Sequence, residues 1–253
     1  MKRICIAVGH GKSAKGGYDP GACSGGYREF EIAKEIAKYT AQYLKSAGFE
    51  TQLINYEGDL YLTDRIRKIN AGNYDFAAEI HLNAGGGTGS EVYFPRGSEA
   101  GRTAAALISG SIANTLGIRD RGAKIKLNSA RSDYFGIIRQ TYPLTVLVET
   151  LFIDTDDIKK VCTTSGRDLC ARAIAKGIEK YFCSGTPAEM RVKVLCDSLN
   201  VRSGPSTLHK INTVIPKGGV YTVTEVSDGW GRLRSGAGWI NLSPSLVETE
   251  KAA

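Results

Sequence analysis

The sequence predicts an α/β domain, a mostly parallel sheet flanked by helices, followed by a small all-β barrel. Three observations predict it. Strand-like and helix-like segments alternate up to residue 182. A stretch of small residues and one proline then interrupts them at 184–189. Beyond it, turn signals recur every few residues with no helical pattern, the mark of hairpins.

The elements follow in order. Residues 3–8 are apolar after a basic start and read as a first buried strand. Residues 29–44 place Phe30, Ala33, Ala37, Ala41 and Leu44 three to four apart, an amphipathic helix that Gly48 stops. Strands are expected at 50–54, 76–81, 91–94 and 145–149, and helices at 60–71, 99–116 and 167–181. This organisation gives a domain at 1–183, a linker at 184–189 and a second domain at 190–253. In the second domain, Ser203-Gly204-Pro205, Lys217-Gly218-Gly219, Ser227-Asp228-Gly229 and Ser235-Gly236-Ala237-Gly238 punctuate short β-rich runs at 220–226 and 232–234.

Composition narrows the function classes. Of the 253 residues, 42% are hydrophobic and 23% charged, which excludes a disordered chain. No apolar run approaches the ~18–20 residues of a membrane span, so no membrane insertion is expected. The net charge of +7 favours polyanionic partners. Without a dense Lys/Arg block, zinc-finger spacing or RNA-binding aromatics, nucleic acid is not among them. The apolar stretch after Met1-Lys2-Arg3 is too short for a secretory signal, so the protein is expected in the cytoplasm until something releases it. The six cysteines form no C-x-x-C pair and are expected as free thiols.

Chemistry concentrates at a few polar residues closing apolar strands. Gly9-His10-Gly11-Lys12-Ser13 imitates the end of a phosphate-binding loop, but Ile6 stands where that motif needs glycine. Lys15-Gly16-Gly17-Tyr18-Asp19-Pro20-Gly21 then opens no helix to hold a phosphate. The other reading makes His10 a metal ligand at a strand's carboxyl end. His81, in Glu79-Ile80-His81-Leu82-Asn83-Ala84, ends another strand at the edge where α/β sheets place ligands. Each histidine alone reads more simply as a satisfied polar residue. Glu29, opening the first helix, is either an acid favoured by the helix dipole or a carboxylate projected toward the strand ends. Glu149 follows the buried run Pro143-Leu144-Thr145-Val146-Leu147-Val148. A carboxylate there costs several kcal/mol unless it is paired or near a cation. It reads as a metal-adjacent base or as a buried partner of Arg139.

The set Val8-Gly9-His10-Gly11, Glu29, Glu79-Ile80-His81-Leu82-Asn83-Ala84 and Val146-Leu147-Val148-Glu149-Thr150-Leu151-Phe152-Ile153 resembles the zinc-dependent N-acetylmuramoyl-L-alanine amidases of the amidase-3 family. The resemblance implies Zn2+ on His10, Glu29 and His81, with Glu149 as the catalytic glutamate. Two positions depart from the family pattern. Glu79 replaces a usual serine, and Glu29-Phe30-Glu31 replaces Glu-Lys, which makes Glu31 a second candidate ligand. Asn83 and Arg139 are candidate substrate-positioning residues, and whether Cys23 touches the metal stays open.

Residues 190–247 resemble bacterial SH3-type wall-binding domains through Leu199-Asn200-Val201-Arg202-Ser203-Gly204-Pro205, Gly229-Trp230-Gly231-Arg232 and Gly238-Trp239-Ile240. Asn200, Arg202 and Trp230 are the expected wall-binding residues, with Trp239 in the core and His209 in a solvent-facing loop. Together the resemblances imply a peptidoglycan hydrolase cutting between N-acetylmuramic acid and L-alanine. Without an export signal it looks like a phage endolysin, held in the host cytoplasm until lysis and then acting on the bacterial wall. The Ile4-Cys5-Ile6 start and Gly21-Ala22-Cys23 resemble enzymes directed at clostridial walls. The alternatives are a host autolysin of the same chemistry, a zinc peptidase cutting within the stem peptide, and a wall-binding protein that no longer catalyses.

Overall fold

Strand β1 (Arg3–Val8) is apolar on both faces, and Ile4 to Val8 are all wholly buried. Such a strand must lie inside a parallel sheet covered by helices on both sides. The computed structural model describes every residue except 184–189, 228, 234 and 252–253. It divides into two compact units, Met1–Tyr181 and Phe182–Ala253.

In the first unit, α1 (Glu29–Ser46) leads to β2 (Glu50–Ile54), α2 (Leu62–Ala71) and β3 (Phe76–Asn83). Then come β4 (Ser90–Tyr93), α3 (Glu99–Leu116), β5 (Asp120–Lys124), α4 (Gly136–Gln140), β6 (Leu144–Phe152) and α5 (Thr164–Cys183). The sheet order is β2-β1-β3-β6-β4-β5. Only the β6–β4 pairing is antiparallel. One face packs Cys5, Ala7, Ala77 and Leu147 against Ile66 and Ile69 of α2 and Ile137 and Ile138 of α4. Helices α1, α3 and α5 cover the other face. Gly177 of α5 lets two of them approach closely, since a Cβ there would sit 2.6 Å from Ile108 Cα. Ser98 caps α3 by accepting from Gly101 N at 2.9 Å. Ser98→Ala is expected to lower stability by about 1 kcal/mol, read as a reduced denaturation midpoint with unchanged slope.

Two of these elements have no counterpart in the sequence pattern. Strand β5 reads Asp-Arg-Gly-Ala-Lys, with both ends exposed and none of it buried. It is an edge strand, held by pairing with β4 rather than by an apolar face. Helix α4 has only five residues, too few to show a period. Among the described residues, no helix is long and apolar enough to cross a membrane.

The second unit contains β7 (Met190–Val194), β8 (Ser198–Arg202), β9 (Ile211–Pro216), β10 (Val220–Ser227), β11 (Trp230–Leu233), β12 (Trp239–Asn241) and β13 (Val247–Lys251). They form one sheet in the order β9-β8-β12-β11-β10-β7-β13, antiparallel throughout. Val192, Val201, Val223, Leu233 and Ile240 fill its core. The expected linker at 184–189, Asp228 of an expected turn and Arg234 of an expected strand lie outside the described residues.

The tryptophans correct the sequence expectation. Trp230 is buried, at 8% exposure, whereas Trp239 is half-buried. Both lie on strands paired on either side, so the difference comes from what covers each ring and not from strand position. Trp239 stands opposite Arg202 on one neighbour and Arg232 on the other, a row of long polar side chains that leaves its ring partly open.

Candidate active site

Parallel pairing brings the carboxyl ends of β1 and β3 to one edge, with Val8 opposite Ile80. Glu149 of β6 stands opposite His81 of β3. His10 lies just past β1 with φ at 61°, a left-handed backbone unusual for a residue with a side chain. Two groups hold it there. Asn55 Nδ2 donates to the carbonyls of Val8 and His10, both at 2.8 Å, and Arg65 Nη1 donates to the His10 carbonyl at 3.1 Å. Gly9 is required for a different reason: a Cβ at this position would fall 2.2 Å from the His81 ring.

Glu29, the first residue of α1, has both carboxylate oxygens engaged. Oε1 accepts from Leu82 N at 3.0 Å and lies 2.9 Å from His81 Nδ1. Oε2 accepts from Ala22 N at 2.8 Å and lies 3.3 Å from His10 Nε2. One ligand atom from each of His10, Glu29 and His81 falls within 4.8 Å of the others. Burial would push the Glu29 carboxyl up, but the two imidazoles outweigh it and hold it well below the ordinary range. Burial would likewise push His81 down, and its bonds to Glu29 and Glu79 hold it well above the ordinary imidazole value. Two nitrogen donors and a carboxylate are a donor set suited to a divalent metal such as zinc. Glu31 is elsewhere: its Oε1 accepts from Tyr18 OH at 2.9 Å on the surface. Cys23 is exposed and outside the cluster.

The same three residues line a cavity of about 430 Å³ together with Asn83, Phe135 and Glu149. Glu149 Oε2 is shut off from solvent and has no hydrogen-bond partner. Burial above all, and then the carboxylates of Glu29 and Glu91, push its pKa up to about 7 against the pull of the histidine charges. The alternative pairing with Arg139 is not formed. Arg139 lies outside the cavity lining and donates to the carbonyls of Asp133 and Tyr134. Asn83 lines the cavity with its Nδ2 given to Glu91 Oε1 at 2.8 Å. In the second unit, Asn200 is half-buried and Arg202 Nη1 donates to the carbonyls of Thr207 and His209, holding the turn after β8. His209 is exposed.

Four charged residues of the site have no role in the sequence reading. Asp19 Oδ2 lies 2.9 Å from His10 Nδ1, Glu79 Oε2 lies 3.0 Å from His81 Nε2, and Arg65 pairs with Glu79 at 2.7 Å. Glu91 is buried beside Glu149 and paired with Arg121 at 2.6 Å. A signal existed for Glu79, a carboxylate inside an apolar strand just as Glu149 is. Asp19, in a polar glycine-rich loop, offers none.

The family model for N-acetylmuramoyl-L-alanine amidase matches residues 4–180, and that for a bacterial SH3 domain matches residues 197–246. A sporulation-specific N-acetylmuramoyl-L-alanine amidase of Bacillus subtilis is 31% identical over 215 residues, 82% of this chain and 79% of that protein. An endolysin of Bacillus phage SPP1 is 31% identical over 170 residues, 62% of this chain and 56% of that one. Among solved structures, Cwp6 of Clostridium difficile superposes with a TM-score of 0.66 at 29% identity, over 71% of this chain and 29% of that longer one. With the parallel sheet, the two strand-end histidines and the helix-opening glutamate all inside the matched region, the chain belongs to the N-acetylmuramoyl-L-alanine amidase family and is a hydrolase whose amidase domain is followed in sequence by a bacterial SH3 domain.

Proposed function

We propose that residues 1–183 form a zinc-dependent amidase and that residues 190–253, after a linker at 184–189, bind the bacterial wall. The bond cut joins the lactyl group of N-acetylmuramic acid to the L-alanine of the peptidoglycan stem. The observation that carries this reading is the meeting of His10, Glu29 and His81 within 4.8 Å on a cavity that Glu149, whose carboxyl no cation pairs among the described residues, also lines. When bound, zinc acts as a Lewis acid that lowers the pKa of a water and draws charge from the scissile carbonyl. His10, Glu29 and His81 would hold the ion. The Glu149 carboxylate, which lines the cavity, takes the proton of the attacking water and returns it to the alanine amine as the C–N bond breaks. A base whose pKa lies near the working pH suits both transfers. Asn83 orients substrate from the cavity wall. Asn200 and Arg202 belong to the proposed wall-binding surface, with half-buried Trp239 a better candidate there than Trp230.

The likeness to a phage endolysin supports an enzyme stored in the host cytoplasm and delivered to the wall at lysis. The likeness to the sporulation amidase favours a second reading, a bacterial autolysin of the same chemistry. Mass spectrometry of digested peptidoglycan tests the bond. New free amino groups on L-alanine are expected, and cleavage between stem residues would replace the amidase with a peptidase. A chelator should abolish the release and added zinc restore it.

A further inference from the structure

Arg65 of α2 and Glu79 of β3 form a salt bridge whose side chains are 6% and 2% exposed. Such a pair carries a desolvation cost of several kcal/mol per ion, and apolar residues of similar volume often serve stability as well or better. Its connections suggest another use. Arg65 Nε donates to Glu79 Oε1 at 2.7 Å, while Nη1 donates to the His10 carbonyl at 3.1 Å and the Leu60 carbonyl at 3.0 Å. The second carboxylate oxygen of Glu79 lies 3.0 Å from His81 Nε2. One guanidinium therefore grips the backbone of one histidine directly and the ring of the other through a carboxylate.

The two grips answer two needs. A neutral imidazole carries one N–H. Placing it on Nε2, facing the acceptor Glu79, leaves Nδ1 as the free lone pair beside Glu29 Oε1 at 2.9 Å. At His10 the left-handed backbone is strained for a residue with a side chain, and a fixed carbonyl holds it in place.

We propose that Arg65 and Glu79 are positioning residues that set both imidazoles in ligating orientation. The inference rests on the metal reading above and deepens it: Glu79 supplies the outer carboxylate to His81, and Arg65 couples that carboxylate to His10.

The test measures zinc affinity of the full chain by competition with a chromophoric chelator, together with the absorption spectrum of the cobalt-loaded protein. Glu79→Gln keeps the shape and loses the charge, and should bind zinc about 10–100-fold more weakly with an altered cobalt spectrum. Arg65→Lys keeps the charge and loses the fork, and should shift both readouts the same way. Affinity within about twofold of the parent and an unchanged spectrum in both variants would overturn the proposal. Should a variant not fold, nitrogen–proton correlation spectra of the zinc-loaded parent decide: a proton on His81 Nε2 supports the proposal, and a proton on Nδ1 overturns it. A parent that takes up no zinc sinks the metal reading and this inference with it, whereas a parent that binds zinc no better than its variants sinks the inference alone.

Discussion

Glu149→Gln is expected to lose wall hydrolysis by a factor on the order of 10²–10⁴, the range associated with a positioned acid–base group, while zinc stays bound. The amide keeps the side chain's size but cannot take a proton from water. A second effect separates this residue from an ordinary buried carboxyl. In the metal-free protein Glu149 ionises only near pH 7, against 4.5 for the free side chain, because burial opposes its charge. The contribution of the protonated carboxyl to stability is therefore complete below pH 4.5 and is lost as pH rises through 7. Glutamine has no charge to bury, so the variant should gain on the parent as pH rises. At about 1.4 kcal/mol per unit, the gain reaches about 3 kcal/mol above pH 7. Melting temperatures in chelator between pH 4 and 9 should show a gap that opens with pH, and a constant gap would show that Glu149 titrates normally. In the loaded enzyme the cation favours the carboxylate. The acid limb of the activity profile is accordingly expected below pH 7.

Gly9→Ala is expected to remove zinc binding and activity together. The added Cβ would stand 2.2 Å from His81 Cε1 and 2.3 Å from Nε2, distances that packed atoms do not adopt. The ring cannot swing aside cheaply, since Glu29 and Glu79 grip its two nitrogens at 2.9 and 3.0 Å. The backbone is also tied, through Gly9 N donating to the Ile80 carbonyl at 3.1 Å. Overpacking of this kind costs about 1–3 kcal/mol, to which the displaced ligand adds the loss of the metal. Gly17→Ala is the matched control, because its nearest neighbour would be Ser13 Oγ at 3.7 Å. Zinc affinity and thermal unfolding of both variants check the expectation. Parent-like zinc binding in Gly9→Ala would mean that the ring is not fixed where the structure has it.

The central strands were legible because burial on both faces writes an unbroken apolar run, as in Ile4-Cys5-Ile6-Ala7-Val8. Helix α1 was legible because half of it faces the sheet with a clear period. Strand β5 and helix α4 were not, since one is an edge held by backbone pairing and the other has five residues. His10, Glu29, His81 and Glu149 stood out in the chain as polar residues closing apolar strands or opening a helix. Their partners are harder to read. Arg65 looks like any charged residue on a helix until the fold carries it beneath His10, and Asp19 sits in a loop whose course no periodicity foretells. Trp230 shows the converse, because a turn glycine beside an aromatic ring says nothing about how far its neighbours will cover that ring, here to 8% exposure.

Strand β6 comes last in the chain among the strands of the first unit, yet it lies at the middle of the sheet against β3. A ribosome therefore releases His10, Glu29 and His81, the proposed metal ligands, within the first 81 residues, long before the strand that carries Glu149 exists. Until that late strand slots in, the emerging chain has the proposed donors without the proposed base. Translation cut short before residue 144 is expected to yield a fragment without hydrolase activity, so the enzyme would become competent only once the whole layer has closed.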